Sequence, residues 1–90
     1  MEKKLIPVAE QEISFSDKPV TFGRSAEADV QIDDASVSNI HCAVRLWDDL
    51  LIIKDMGSTN GIKVNDKRID RVAVINPGDK VQIGNIIFEV

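Results

Sequence analysis

Ile40, Cys42, Val44 and Leu46 are apolar at every second position, with His41, Ala43, Arg45 and Trp47 between them. A strand repeats every two residues and a helix every 3.6, so this alternation predicts an extended segment whose first set faces a core. Asp48-Asp49 interrupts it, and Leu50-Leu51-Ile52-Ile53-Lys54 follows as a second strand. If Asp48-Asp49 is a two-residue turn, Val44 lies opposite Ile53 and Leu46 opposite Leu51, core face against core face. The same count sets Ser38 opposite Thr59 and Asn39 opposite Ser58. Asp-Asp is not a strong signal for so tight a turn, and a longer one would slip the register. With either turn, the loop before this hairpin and the loop after it emerge at the same end.

The rest of the chain repeats the pattern in shorter pieces. No segment keeps a helical period, and runs rich in Val and Ile are split by Gly, Pro, Asn and Asp. Strands are expected near 3–8, 11–15, 19–23, 29–32, 40–47, 50–55, 61–65, 68–69, 72–75, 80–84 and 86–90. The fold class is therefore all-β, a sandwich or a barrel. Ninety residues make a single domain, 1–90, with little core to spare. The chain stops on the apolar run Ile86-Ile87-Phe88-Glu89-Val90, which reads as a trimmed boundary of a larger protein.

Charge narrows the function. The formal net charge is -4, so long-range attraction to nucleic acid or an anionic membrane is not expected. An anion bound here must be held by a local cluster against the overall field. No apolar run is long enough to span a bilayer, and Met1-Glu2-Lys3-Lys4 leads into no signal-peptide core, so a cytoplasmic location is the default expectation. The one cysteine, Cys42, excludes an internal disulfide and reads as a small buried hydrophobe.

The shared end of the hairpin carries Ser36, Ser38 and Asn39 from one loop and Ser58, Thr59 and Asn60 from the other. Short hydroxyls and amides beside glycines suit an anion or a peptide backbone rather than an apolar ligand. Ser, Thr, Asn and Gly also fill turns simply by bonding their own backbone, so either loop alone names no ligand. Enzyme chemistry is not expected. Ser38 and His41 would lie about 10 Å apart on opposite faces of an extended chain, whereas a nucleophile needs its base within about 3.2 Å. One His and one Cys make no zinc site. Gly57-Ser58-Thr59-Asn60-Gly61 lacks the lysine and the helix of a phosphate-binding loop. No cofactor is called for.

Gly23-Arg24, Ser38-Asn39-Ile40-His41, Asp55-Met56-Gly57-Ser58-Thr59-Asn60-Gly61 and Val64-Asn65, in that order and spacing, resemble the forkhead-associated (FHA) domain. Pro77-Gly78-Asp79 and Val81-Gln82-Ile83-Gly84 resemble its closing strands. The resemblance implies an eleven-stranded β-sandwich that recognises phosphothreonine in a partner's peptide, acting as a monomer when isolated. It implies that Arg24 pairs with the phosphate, Ser38 donates its hydroxyl to it, and Thr59 donates by hydroxyl or backbone. Asn60 would bond the peptide backbone, with Asn39 in support. His41 would brace the Ser38 loop from inside, and Gly23, Gly57, Ser58, Gly61 and Asn65 would hold the site's backbone.

Three positions depart from the family pattern. Asn39 stands where arginine is common, Ile62 where threonine is usual, and Asp66 where glycine is usual. Arg45, Lys54 and Lys63 are candidates for a basic rim that would assist Arg24, or else solvated strand residues. The alternative function is an FHA-like scaffold that makes phosphate-independent protein contacts.

Overall fold

The structure is a computed structural model, and it describes residues 4–7 and 13–90. The outer parts of the first two expected strands, at residues 3, 8 and 11–12, lie outside the described residues. The described strands are β1 (Lys4–Pro7), β2 (Ile13–Ser14), β3 (Val20–Gly23), β4 (Val30–Gln31), β5 (Cys42–Trp47), β6 (Leu50–Asp55), β7 (Ile62–Val64), β8 (Lys67–Arg68), β9 (Val72–Ile75), β10 (Lys80–Ile83) and β11 (Ile86–Glu89). They form a six-stranded sheet, β2-β1-β11-β10-β7-β8, and a five-stranded sheet, β4-β3-β5-β6-β9. The β3–β4 pair is parallel and the other pairs are antiparallel.

Asp48 and Asp49 sit at φ 50° and 64°, the left-handed geometry of a two-residue type I′ turn. The β5–β6 register is the one that such a turn demands, with Val44 opposite Ile53 and Leu46 opposite Leu51. Asn65 and Asp66, at φ 51° and 68°, make a second turn of this kind between β7 and β8. The turn is tight, so β8 begins at Lys67, one residue earlier than the sequence pattern predicts. Asn and Asp tolerate this region because their short side chains bond locally, so Asp66 does the work of the usual glycine.

Inward side chains of the two sheets interdigitate. Phe22 on β3 packs between Phe15 and Phe88 on β11, with ring centroids 6.2 and 5.9 Å apart. Such tilted aromatic contacts add to the area they bury. Val44, Leu51, Ile53, Ile62, Ile75, Val81 and Ile83 complete the centre, all fully buried. Cys42 is part of this core. Burial, reinforced by the nearby Asp55 carboxylate, pushes its thiol well above the ordinary range, so it stays protonated.

The strand expected at 40–47 departs from the pattern at its first two residues, Ile40 and His41. Strand β5 starts at Cys42, because Asn39 and Ile40 form a turn. The alternation therefore fails there: Ile40 is only half-buried, and His41 is the one fully buried polar side chain among the described residues.

Candidate functional site

Three loops meet beyond the ends of β3, β5 and β6, joined by bonds that cross long stretches of sequence. The Arg24 N–H donates to the Ser38 carbonyl at 2.9 Å, and the Ser25 N–H to the Asn39 carbonyl at 3.1 Å. The Thr59 N–H donates to Ser38 Oγ at 3.1 Å. Asn60 Nδ2 donates to the Ser36 carbonyl at 2.8 Å. Ser38 thus meets Thr59 as the hairpin count predicts, but through a side chain between loops rather than a ladder bond.

Gly23 makes this approach possible. A Cβ there would overlap the Asn39 carbonyl oxygen and sit 2.6 Å from its carbon, so the Arg24 loop can lie on the Ser38 loop only if residue 23 has no side chain. Arg24 is exposed, while its backbone is held on both sides: its carbonyl accepts Gln31 Nε2 at 3.1 Å.

His41 lies underneath. Its Nδ1 accepts the Ser38 N–H at 3.0 Å, so Nε2 carries the ring proton and donates to the Gly61 carbonyl at 2.7 Å. One side chain therefore ties both loops together from inside. Both ring nitrogens are taken, neither by a hydroxyl. The imidazole is thus committed to backbone groups rather than to Ser38 Oγ.

The loop after β6 is folded on Asp55. Its carboxylate accepts the Ser58 N–H at 2.7 Å and the Ser58 hydroxyl at 2.9 Å, and Ser58 Oγ accepts the Gly61 N–H at 3.0 Å. Gly57, at φ 81°, supplies the left-handed residue that lets the chain curl back. This network spends Ser58 on the loop itself and presents Thr59 and Asn60, both exposed, at the rim. Asn39, on the Ser38 loop, is also exposed. Asn65 sits elsewhere, bonded to Asp79 and Lys80 at the far end of β7 and β10. It supports the sandwich rather than touching these loops. Hydrogen bonds from Asn65 and from the Asn76 N–H hold the Asp79 carboxyl below its usual range.

The three candidate rim cations separate. Lys63 lines a hollow of about 220 Å³ with Asn60, Gly61, Gln82, Gly84 and Asn85 at the loop end. Arg45 and Lys54 line a different groove with Trp47, Ile52 and Val72, on the outward face of the five-stranded sheet.

A family model described as FHA domain matches residues 20–84. The chain belongs to the FHA domain family. It is 41% identical over 69 residues to the glycogen accumulation regulator GarA of Mycolicibacterium smegmatis, covering 76% of this chain and 43% of that protein. It is also 41% identical over 69 residues to the oxoglutarate dehydrogenase inhibitor of Corynebacterium diphtheriae, covering 76% of this chain and 48% of that one. The chain thus spans less than half the length of these curated relatives. Among solved structures, Mycobacterium tuberculosis EmbR in complex with a low affinity phosphopeptide superposes with a TM-score of 0.88 at 26% identity, over 98% of this chain and 24% of that one.

Sequence reasoning undervalued Ser36 in this FHA domain. Its carbonyl holds Asn60, its hydroxyl oxygen accepts the Asn85 N–H at 2.8 Å, and its own N–H and O–H go to Asp34. Those last two bonds hold the Asp34 carboxyl below its usual range, the hydroxyl's contribution being the larger. The Asp-x-Ser spacing was the available signal for this local turn, but the contacts to Asn60 and Asn85 come from distant sequence.

His41→Ala is expected to cost about 1–3 kcal/mol of stability, because it leaves the Ser38 N–H and the Gly61 carbonyl without their buried partner. Denaturant unfolding measures the loss. A normal unfolding curve would mean that water replaces the ring without cost.

Proposed function

We propose that residues 1–90 act as one FHA domain that binds phosphothreonine in a partner protein, as a non-catalytic, cytoplasmic signalling module. The observation that carries this reading is the state of Ser38. Its oxygen accepts the Thr59 N–H, so its own hydrogen remains to donate, and the exposed Arg24 is fastened to the same residue's carbonyl. A guanidinium fork, a free hydroxyl and the Thr59 hydroxyl are then carried on loops that are joined at Ser38. A phosphate, with three acceptor oxygens and a charge of about -1.5 to -2, fits that set.

Asn60 retains Oδ1 and one amide hydrogen after bonding Ser36, enough to pair with a peptide backbone on both its donor and acceptor sides. Asn39 supports that contact from the neighbouring loop. The relatives named as a regulator and an inhibitor support a regulatory role rather than turnover. A phosphopeptide complex of a 26% identical chain supports the ligand class.

Calorimetric titration with a phosphothreonine peptide and its unphosphorylated twin tests the reading. Binding only of the phosphorylated peptide is expected, and equal affinity for both would leave a phosphate-independent scaffold. Affinity is also expected to fall as pH drops below about 6, where the phosphate gains its second proton and loses charge. The ligand's second ionisation is expected to set the midpoint. Constant affinity between pH 7 and 5, in a domain still folded at both, would remove phosphate as the anchor.

A further inference from the structure

The outward face of the five-stranded sheet carries an apolar surface that the phosphate site does not use. Leu51, Ile53 and Ile75 point inward and are fully buried. Leu50, Ile52, Val72 and Val74 on the same strands must therefore point out. Trp47 is 59% exposed, Val72 54%, Val74 43% and Leu50 42%. The ladder sets them in rows across the sheet: Trp47 beside Leu50, Arg45 beside Ile52 and Val74, and Ala43 beside Lys54 and Val72. Contiguous exposed apolar side chains on a small soluble domain mark a surface that meets something.

The face is also concave. A groove of about 410 Å³ runs between Trp47, Arg45, Ile52, Lys54 and Val72. That is within the range of sites which accept a side chain or a small ligand. The outward positions of these rows on β5, β6 and β9 hold two cations, Arg45 and Lys54, in a domain that carries a net -4, and the carboxylate at the edge of the face, Asp29, is already bonded to Thr21 across from Ala43. Like charges opposed across a symmetric face penalise a second copy, and they favour an acidic guest.

We propose that this groove docks an acidic segment of a partner protein, with an apolar side chain of that segment against Trp47 and Ile52 and its carboxylates on Arg45 and Lys54. The surface is separate from Arg24 and Ser38, so an FHA partner can be held at two places, and the second contact does not need phosphate.

Trp47 is the only tryptophan in the chain, so the groove reports its own occupancy. The probes are capped seven-residue peptides: alternating Glu and Leu, alternating Lys and Leu, and alternating Glu and Ser. The Glu-Leu peptide is expected to shift Trp47 emission to the blue and to saturate. It should bind at least tenfold tighter than either control. Arg45→Glu with Lys54→Glu is expected to weaken it at least tenfold, and Arg45→Ala with Lys54→Ala to weaken it less. Arg24→Ala is expected to leave it within twofold. No saturable shift, or equal binding of the Lys-Leu peptide, would overturn the proposal. Loss of binding on Arg24→Ala would put the peptide at the loop end instead. A blue shift on raising protein concentration alone, with a dimer in sedimentation, would assign the face to a second copy and also overturn it.

Discussion

Gly23→Ala is expected to unfold this FHA domain or to leave it barely folded. The new methyl group would occupy the place of the Asn39 carbonyl oxygen, and it would also sit 2.9 Å from the Ile40 Cα. Both neighbours are backbone, so no side-chain rotation relieves the overlap. The Arg24 loop would have to lift off the Ser38 loop, breaking the Arg24–Ser38 and Ser25–Asn39 bonds together. The Gly23 carbonyl also accepts the Ile32 N–H at 2.7 Å, so the shift reaches the β3–β4 pair. Each orphaned group costs about 1–3 kcal/mol, and the sum is about 4 kcal/mol or more. A domain of this length has roughly 5–13 kcal/mol in total, at about 0.05–0.15 kcal/mol per residue. Gly78→Ala is the control. Gly78 has φ 89° with nothing within 4 Å of a Cβ, so only the left-handed conformation is penalised, by about 1–2 kcal/mol. Thermal and denaturant unfolding of the two variants decide the matter. A Gly23 variant no less stable than the Gly78 variant would mean that the two loops part without cost.

The hairpin was readable because its information is local. Period-two alternation names the inward face of β5, and turn length then sets the register of β6. The Asp48-Asp49 turn stood as one of two choices, since propensity alone does not fix a type I′ geometry on two aspartates. His41 marks the limit of that approach. Alternation assigns it to the outward face, but the chain leaves the extended state at Ile40, and the histidine turns beneath the loops. Only the FHA resemblance anticipated its burial. The rim cations could not be told apart for a related reason. Arg45, Lys54 and Lys63 are equivalent as letters, and what separates them is which sheet carries each residue and which end its neighbours form. Ser36 was seen as a loop hydroxyl, yet its bonds to Asn60 and Asn85 join positions 24 and 49 residues away. Contacts between loops of that separation leave no periodic trace in a single sequence.

Phosphothreonine is expected to bind better than phosphoserine, and glutamate in its place hardly at all. The methyl group of threonine contributes about 0.8 kcal/mol on burial, about fourfold in affinity, and more if it fixes the rotamer that aims the phosphate at Arg24. The larger step is from phosphate to carboxylate. A carboxylate has one charge and two oxygens. It cannot satisfy the Arg24 fork, the Ser38 hydroxyl and the Thr59 hydroxyl together. Leaving out one charge-assisted bond costs about 1.5–3 kcal/mol, which corresponds to roughly 10–150-fold in affinity. The Thr59 and Ser38 groups cannot turn elsewhere to compensate, because the Thr59 N–H and Ser38 Oγ already bind each other and His41 holds the Ser38 N–H. Arg24→Ala should produce a loss of the same order with an unchanged melt, since the Arg24 side chain is exposed and its structural bonds are made by backbone. Arg24→Lys should restore little, because a point charge cannot reproduce a planar fork. Calorimetry with three peptides that differ only at this residue separates the cases. A glutamate peptide within a few-fold of the phosphothreonine peptide would identify a generic anion patch. Unchanged affinity in the Arg24→Ala protein would take the phosphate away from Arg24.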